Sequence, residues 1–178
     1  MAAANGHATN TAIVVMGVSG AGKTTIGTLL AARLGRAFLE GDSFHPEANV
    51  AKMRSGAALD DADRMPWLKA IAAAIDSARR DGRRVVVTCS ALKRTYRAAL
   101  ADGHDDVLFV YLRGGRPLVA ERLATRAGHF MPPQLLESQF ATLEEPDKGE
   151  ASIVVDIEDT PEGIVRQVAD SLAAGVRA

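Results

Sequence analysis

Short, continuous apolar runs alternate along this chain with segments whose apolar residues recur at helical spacing. The run Ala12–Met16 predicts a first strand. Behind it Ile26, Leu29, Leu30 and Leu34 mark one face of a helix that Gly35 closes. Ala37–Leu39 predicts a short second strand. Pro66 reads as the opening residue of a helix whose buried stripe is Trp67, Ile71, Ile75 and Ala78. Arg84–Thr88 and Val107–Leu112 predict the third and fourth strands, and Pro117 opens a helix that runs to about Thr125. Ile153–Ile157 predicts a fifth strand. Thr160 and Pro161 start a last helix with Ile164, Val168 and Leu172 on one face.

Strands that are apolar throughout, rather than alternating, have both faces covered. With helices between them they predict a parallel sheet with helices on both sides. In such α/β folds ligands bind beyond the carboxyl ends of the strands, so the strand-ending loops should carry the chemistry. No internal repeat or Pro/Gly/Ser-rich linker divides the 178 residues, a length that suits one domain over 11–178. Residues 1–10 have neither a basic start nor an apolar run, so they read as a disordered lead-in and not as a signal peptide.

Composition narrows the class. Hydrophobic residues make up 47% and charged residues 24%, ordinary for a soluble protein. A net charge of −1 argues against a nucleic-acid or membrane-surface partner. No apolar stretch approaches the roughly 18 residues of a membrane span. Charge is nonetheless uneven: residues 83–126 hold nine Lys or Arg against four Asp or Glu, and residues 137–162 one against nine. Local basic stretches in a nearly neutral chain fit a site for small anions. The single cysteine, Cys89, allows no intrachain disulfide and fits a reducing, cytoplasmic location; it reads as a small buried hydrophobe.

The strongest chemical signal lies between the first strand and its helix. Gly17-Val18-Ser19-Gly20-Ala21-Gly22-Lys23-Thr24 fits G-x-x-x-x-G-K-[ST], followed by Thr25. In a chain this long the pattern arises by chance in fewer than about one protein in a hundred. Glycines let the backbone curl so that successive N–H groups face phosphates, and the helix N-terminus adds positive potential. Lys23 is suited to the β- and γ-phosphates of ATP and the Thr24 hydroxyl to Mg²⁺. The third strand ends Thr88-Cys89-Ser90 without the carboxylate that often holds the metal, leaving Thr24, the phosphates and the acids after the second strand.

Those acids lie in Glu40-Gly41-Asp42-Ser43-Phe44-His45. A carboxylate at Asp42 can accept the proton of an attacking hydroxyl or hold it in line, and His45 can bind a substrate hydroxyl. Arg64, beside Asp60, Asp61 and Asp63, is a candidate clamp for an acidic group; its plainer role is a surface ion pair with those aspartates. Lys93, Arg94 and Arg97 follow the third strand, and one of them should face the cleft. Arg122 and Arg126 stand one helical turn apart, ahead of Gly128, His129, Phe130, Pro132 and Pro133. Arginines on a closing lid, here about 122–142, can neutralise charge developing on a transferred phosphoryl group.

Taken together the motifs resemble the small gluconokinases of the P-loop type, over about Ile13 to Pro146. The resemblance is carried by the glycine-rich loop, Gly41-Asp42 with Phe44-His45, and Asn49 with Lys52-Met53 and Gly56. It continues through Leu59-x-Asp61-x-Asp63-Arg64-x-Pro66-Trp67-Leu68, Cys89-Ser90-Ala91-Leu92-Lys93-Arg94-x-Tyr96-Arg97 and Arg126-x-Gly128-His129-Phe130-Met131-Pro132. Leu135-Leu136-x-Ser138-Gln139-Phe140-x-Thr142-Leu143-Glu144 is a further match. The resemblance implies a P-loop three-layer sandwich with five parallel strands and a small helical lid, similar to shikimate and nucleoside monophosphate kinases. It implies Mg²⁺-dependent phosphorylation of D-gluconate by ATP, in the cytoplasm and as a homodimer. It also favours Asp42, His45, Arg64 and Arg97 as acceptor-site residues. The residues read alone leave open a kinase for another small acid such as shikimate, one for a nucleoside monophosphate, and a nucleotide-binding switch.

Overall fold

The computed structural model describes residues 10–125 and 133–175. Five parallel strands form the central sheet: β1 (Ala12–Met16), β2 (Ala37–Leu39), β3 (Val85–Thr88), β4 (Val107–Arg113) and β5 (Ser152–Asp156), in the spatial order β2-β3-β1-β4-β5. The described helices are α1 (Lys23–Leu34), α2 (Glu47–Arg54), α3 (Asp61–Arg80), α4 (Arg94–Ala101), α5 (Arg116–Thr125), α6 (Pro133–Thr142) and α7 (Pro161–Ala173). All five predicted strands form, each within a residue of its expected bounds.

The all-apolar strands have the physical cause inferred for them. Ile13 and Val15 of β1, Val86 of β3 and Leu108, Val110 and Leu112 of β4 face a core shared with α1 and α7. Their neighbours Val14, Met16, Val85, Val87, Phe109 and Tyr111 point the other way, onto Trp67, Leu68, Ile71 and Ile75 of α3 and Tyr96 and Leu100 of α4. Successive side chains of a strand alternate faces, so a strand covered on both sides has no solvent face for polar residues.

The start of α3 departs from the sequence reading. Pro66 does not open the helix; it lies inside it, since α3 begins at Asp61. The start signal is Asp60, whose Oδ1 accepts from the Asp63 backbone N–H at 2.9 Å while Asp63 Oδ2 accepts from the Asp60 N–H at 3.0 Å. This reciprocal cap outweighs the proline, whose missing N–H leaves only the carbonyl of exposed Ala62 without its helical donor. The expected stripe is otherwise intact: Trp67, Ile71, Ile75 and Ala78 are all buried.

Candidate active site

The loop between β1 and α1 curls through three glycines with positive φ, 146° at Gly17, 83° at Gly20 and 95° at Gly22. The last immediately precedes α1, whose first-turn N–H groups therefore open into the loop. Lys23 folds back over the same loop, its Nζ donating to the carbonyls of Gly17 at 3.1 Å and Val18 at 3.0 Å. Thr24 and Thr25 are exposed beside it.

Glu40, one of the two acids after the second strand read as possible help for the metal, closes one side of this loop. Its Oε2 accepts from Thr24 Oγ1 at 2.8 Å, and its Oε1 accepts from Thr88 Oγ1. Thr88 Oγ1 in turn accepts from the Gly41 N–H at 3.0 Å. A chain of hydrogen bonds thus links the ends of β2 and β3 to the first turn of α1. The signal for Glu40 was its place directly after β2; which of two nearby acids turns toward Thr24 required the fold. Among the described residues no group of three or more His, Cys, Asp or Glu gathers to hold a metal.

Asp42 stands exposed on a single turn of 3₁₀ helix (Gly41–Phe44) that continues from β2. The turn is fastened from below, where Trp67 Nε1 donates to the Gly41 carbonyl at 2.8 Å. A Cβ at Gly41 would lie 1.7 Å from the Thr88 carbonyl oxygen. Gly41→Ala must therefore part the ends of β2 and β3. We expect it to lower stability by about 3 kcal/mol, the upper end for overpacking, as read by urea unfolding. His45 stacks on Trp67 with ring centroids 4.0 Å apart and planes at 16°, and its Nδ1 lies 3.4 Å from Asn49 Nδ2. Burial lowers its pKa, the Asp42 charge opposes this and Arg64 reinforces it, so the ring is neutral at pH 7.

Beyond the turn lies a cavity of about 500 Å³. Its walls carry Arg64 and Asp61 from α3, Lys93 and Tyr96 from the start of α4, and Ser138 and Gln139 from α6. The two cations flank the Tyr96 ring, Arg64 at 5.8 Å and Lys93 at 5.5 Å from its centroid. Lys93 Nζ donates to both Asp61 carboxylate oxygens, at 2.8 and 2.9 Å, and Tyr96 Oη donates to one of them. Lys93 and then Tyr96 hold the Asp61 carboxyl below its usual range, and Asp61 holds Lys93 above its own. Both stay ionised near neutral pH. Asp42 and His45 are not among the residues lining this cavity, although the Asp42 and Arg64 charges both act on His45.

Of the three basic residues after β3, it is Lys93 that faces the cleft. Arg94 pairs on the outside with Asp147 at 2.7 Å. Arg97, expected in the acceptor site, is instead a buried structural residue, 1% exposed. Its Nε and Nη2 donate to the Glu150 carboxylate at 2.5 and 2.8 Å, and Nη1 reaches the carbonyls of Ala91 at 3.0 Å and Glu144 at 2.9 Å. Every face of the guanidinium is engaged inside the protein, which removes it from the substrate. Arg122, expected on the nucleotide, donates from Nη2 to the Ile157 carbonyl at 2.5 Å, tying α5 to the turn after β5 and not to the glycine-rich loop. Arg126, His129 and Phe130 lie outside the described residues, as do residues 1–9 of the expected lead-in. Cys89 is fully buried and burial pushes its thiol up to about 12, so it is inert as expected.

Comparison with known proteins bears on this arrangement. Residues 13–146 match the family described as an AAA domain. The chain is 42% identical over 163 residues to the thermoresistant gluconokinase of Escherichia coli K12, covering 91% of this chain and 93% of that one. It is 47% identical over 156 residues to the gluconokinase of Gluconobacter oxydans, with 88% of each chain covered. The crystal structure of a gluconokinase from Sinorhizobium meliloti superposes with a TM-score of 0.86 at 43% identity, over 94% of both chains.

Proposed function

The chain belongs to the gluconokinase family, and we propose how its residues carry out that family's reaction, the ATP-dependent phosphorylation of D-gluconate to 6-phospho-D-gluconate. The observation that carries the reading is the juxtaposition of two anion-binding elements: the phosphate loop, and a cavity whose cations Arg64 and Lys93 meet it through Gln139. A linear polyhydroxy acid suits that cavity, since it offers one carboxylate for a cation and several hydroxyls for polar side chains.

In this reading the loop N–H groups and the α1 terminus hold the ATP phosphates, and Lys23 leaves its carbonyls for the β- and γ-oxygens. Thr24 Oγ1 beside the Glu40 carboxylate presents hard oxygen donors, which suits Mg²⁺. When bound, that ion supplies neutralising charge on the phosphate oxygens. Arg64, with Lys93, fixes the gluconate carboxylate at the far end of the cavity. Asp42 holds the reactive hydroxyl in line with the γ-phosphorus and accepts its proton, while neutral His45 orients a neighbouring hydroxyl. Arg126 is proposed, from sequence alone, to steady the transferring phosphoryl group.

The reading includes a single P-loop kinase domain over 11–178 with a lid near 122–142. It also includes a homodimer and a cytoplasmic location. The dimer rests on family resemblance. The location rests on the same resemblance; among the described residues no helix is long and apolar enough to cross a membrane.

The decisive experiment is acceptor-dependent ADP release with Mg·ATP, comparing gluconate with shikimate, glucose and nucleoside monophosphates. We expect gluconate alone to respond, and EDTA to abolish the response. A response to a different acid with none to gluconate would overturn the substrate assignment; ATP binding without any acceptor response would overturn the kinase reading.

A further inference from the structure

The segment Ser138-Gln139-Phe140 stands out in the sequence without a chemical role, and the fold gives Gln139 two neighbours at once. From α6 its carboxamide reaches the phosphate loop, 120 residues away in sequence: Oε1 accepts from the Ser19 backbone N–H at 2.7 Å, and Nε2 donates to Ser19 Oγ at 3.0 Å. The same side chain lines the cavity that holds Arg64 and Lys93. In the kinase reading above, Ser19 falls at the γ-phosphate end of the loop. Lys23 Nζ, which serves the β- and γ-phosphates, rests on the carbonyls of Gly17 and Val18, immediately before Ser19.

We propose that Gln139 is a positioning residue that joins the lid helix to the γ-phosphate end of the loop and aligns the acceptor hydroxyl with the phosphorus. The inference rests on the kinase reading above and extends it to a residue with no charge. A carboxamide suits this place because it accepts and donates together: one end satisfies the Ser19 N–H, and the other keeps a donor for Ser19 Oγ or a phosphate oxygen. A carboxylate satisfies the first contact but turns a second negative oxygen toward the phosphate.

The test compares Gln139→Glu and Gln139→Ala with the wild-type enzyme in kcat, in KM, and in the dissociation constants of ATP and ADP measured without acceptor. Gln139→Glu is expected to lower kcat about 10²-fold, the cost of a small misplacement of the reacting groups. It should also weaken ATP about tenfold or more through charge repulsion while changing ADP less, because only ATP carries the γ-phosphate. Gln139→Ala should lose kcat without that ATP–ADP difference. Equal weakening of ATP and ADP by Gln139→Glu, or wild-type kcat in both variants, would overturn the proposal. A loss of kcat that merely follows a lowered melting temperature in both variants would also count against it. Wild-type turnover of gluconate in the same assay checks the reading of function separately, and the ATP-to-ADP ratio remains informative whatever the acceptor.

Discussion

Replacing Asp42 with Asn is expected to lower kcat by about 10²–10⁴-fold, the usual range for a lost general base, while ATP binding changes only a few-fold. Asparagine preserves shape and can still hydrogen-bond the substrate hydroxyl, but it cannot accept that hydroxyl's proton. The substitution therefore separates proton acceptance from orientation. The fold favours a clean measurement. Asp42 is exposed, and its turn is held by Gly41 and Trp67 through backbone atoms, so the side chain itself supports nothing. The variant should melt where the wild type does. A drop in kcat with unchanged KM for ATP is the expected pattern. Near-normal turnover would remove Asp42 from the chemistry, and Glu40 would not replace it, because both Glu40 oxygens are bonded to Thr24 and Thr88.

The second large effect is on stability. Arg97→Ala is expected to destabilise the fold by about 3–5 kcal/mol, as when one partner of a buried ion pair is removed. For a chain of this length that lowers the melting temperature by roughly 6–20 °C. The cause is what remains behind: Glu150, only 11% exposed, keeps its charge with no cation beside it and only the Asp147 N–H, at 3.3 Å, as a donor, and the carbonyls of Ala91 and Glu144 lose the guanidinium. Removing both charges together, in Arg97→Met with Glu150→Met, should recover much of the loss, and the double-mutant cycle measures how much. Arg97, through its hydrogen bond, holds the Glu150 carboxyl below the ordinary glutamate range. A depressed folded value means that the pair contributes fully above the unfolded glutamate pKa. Its contribution is lost as pH falls through the folded value, so wild type and double variant should converge in stability in acid. The milder Arg97→Lys should leave the KM for gluconate unchanged. A KM raised tenfold in well-folded Arg97→Lys would return Arg97 to the acceptor site.

These two residues mark how far the site was legible. Asp42 is read correctly as an exposed strand-end acid because its signal is local: a glycine turn directly after an apolar strand. Arg97 is not, because Lys93, Arg94 and Arg97 lie within five residues and carry the same charge. What separates them comes from 47 and 53 residues downstream, where the Glu144 carbonyl and the Glu150 carboxylate close over Arg97 alone. Arg122 shows the same dependence, its partner being the distant Ile157 carbonyl.

Residue order alone dictates the central strands β1, β3 and β4, because a strand covered on both faces is apolar along its length. It also determined the phosphate loop, because the glycines and the Lys-Thr pair that shape it are contiguous. Its motifs were specific enough to imply the family as well. Which of several equivalent polar residues faces the cleft is settled by packing between distant elements. Lys93 rather than Arg97, Glu40 turned to Thr24, and Gln139 seated on Ser19 each depend on a partner brought from another element. A side chain's charge is written at its own position, but its direction is set by the groups that satisfy it, and those arrive only on folding.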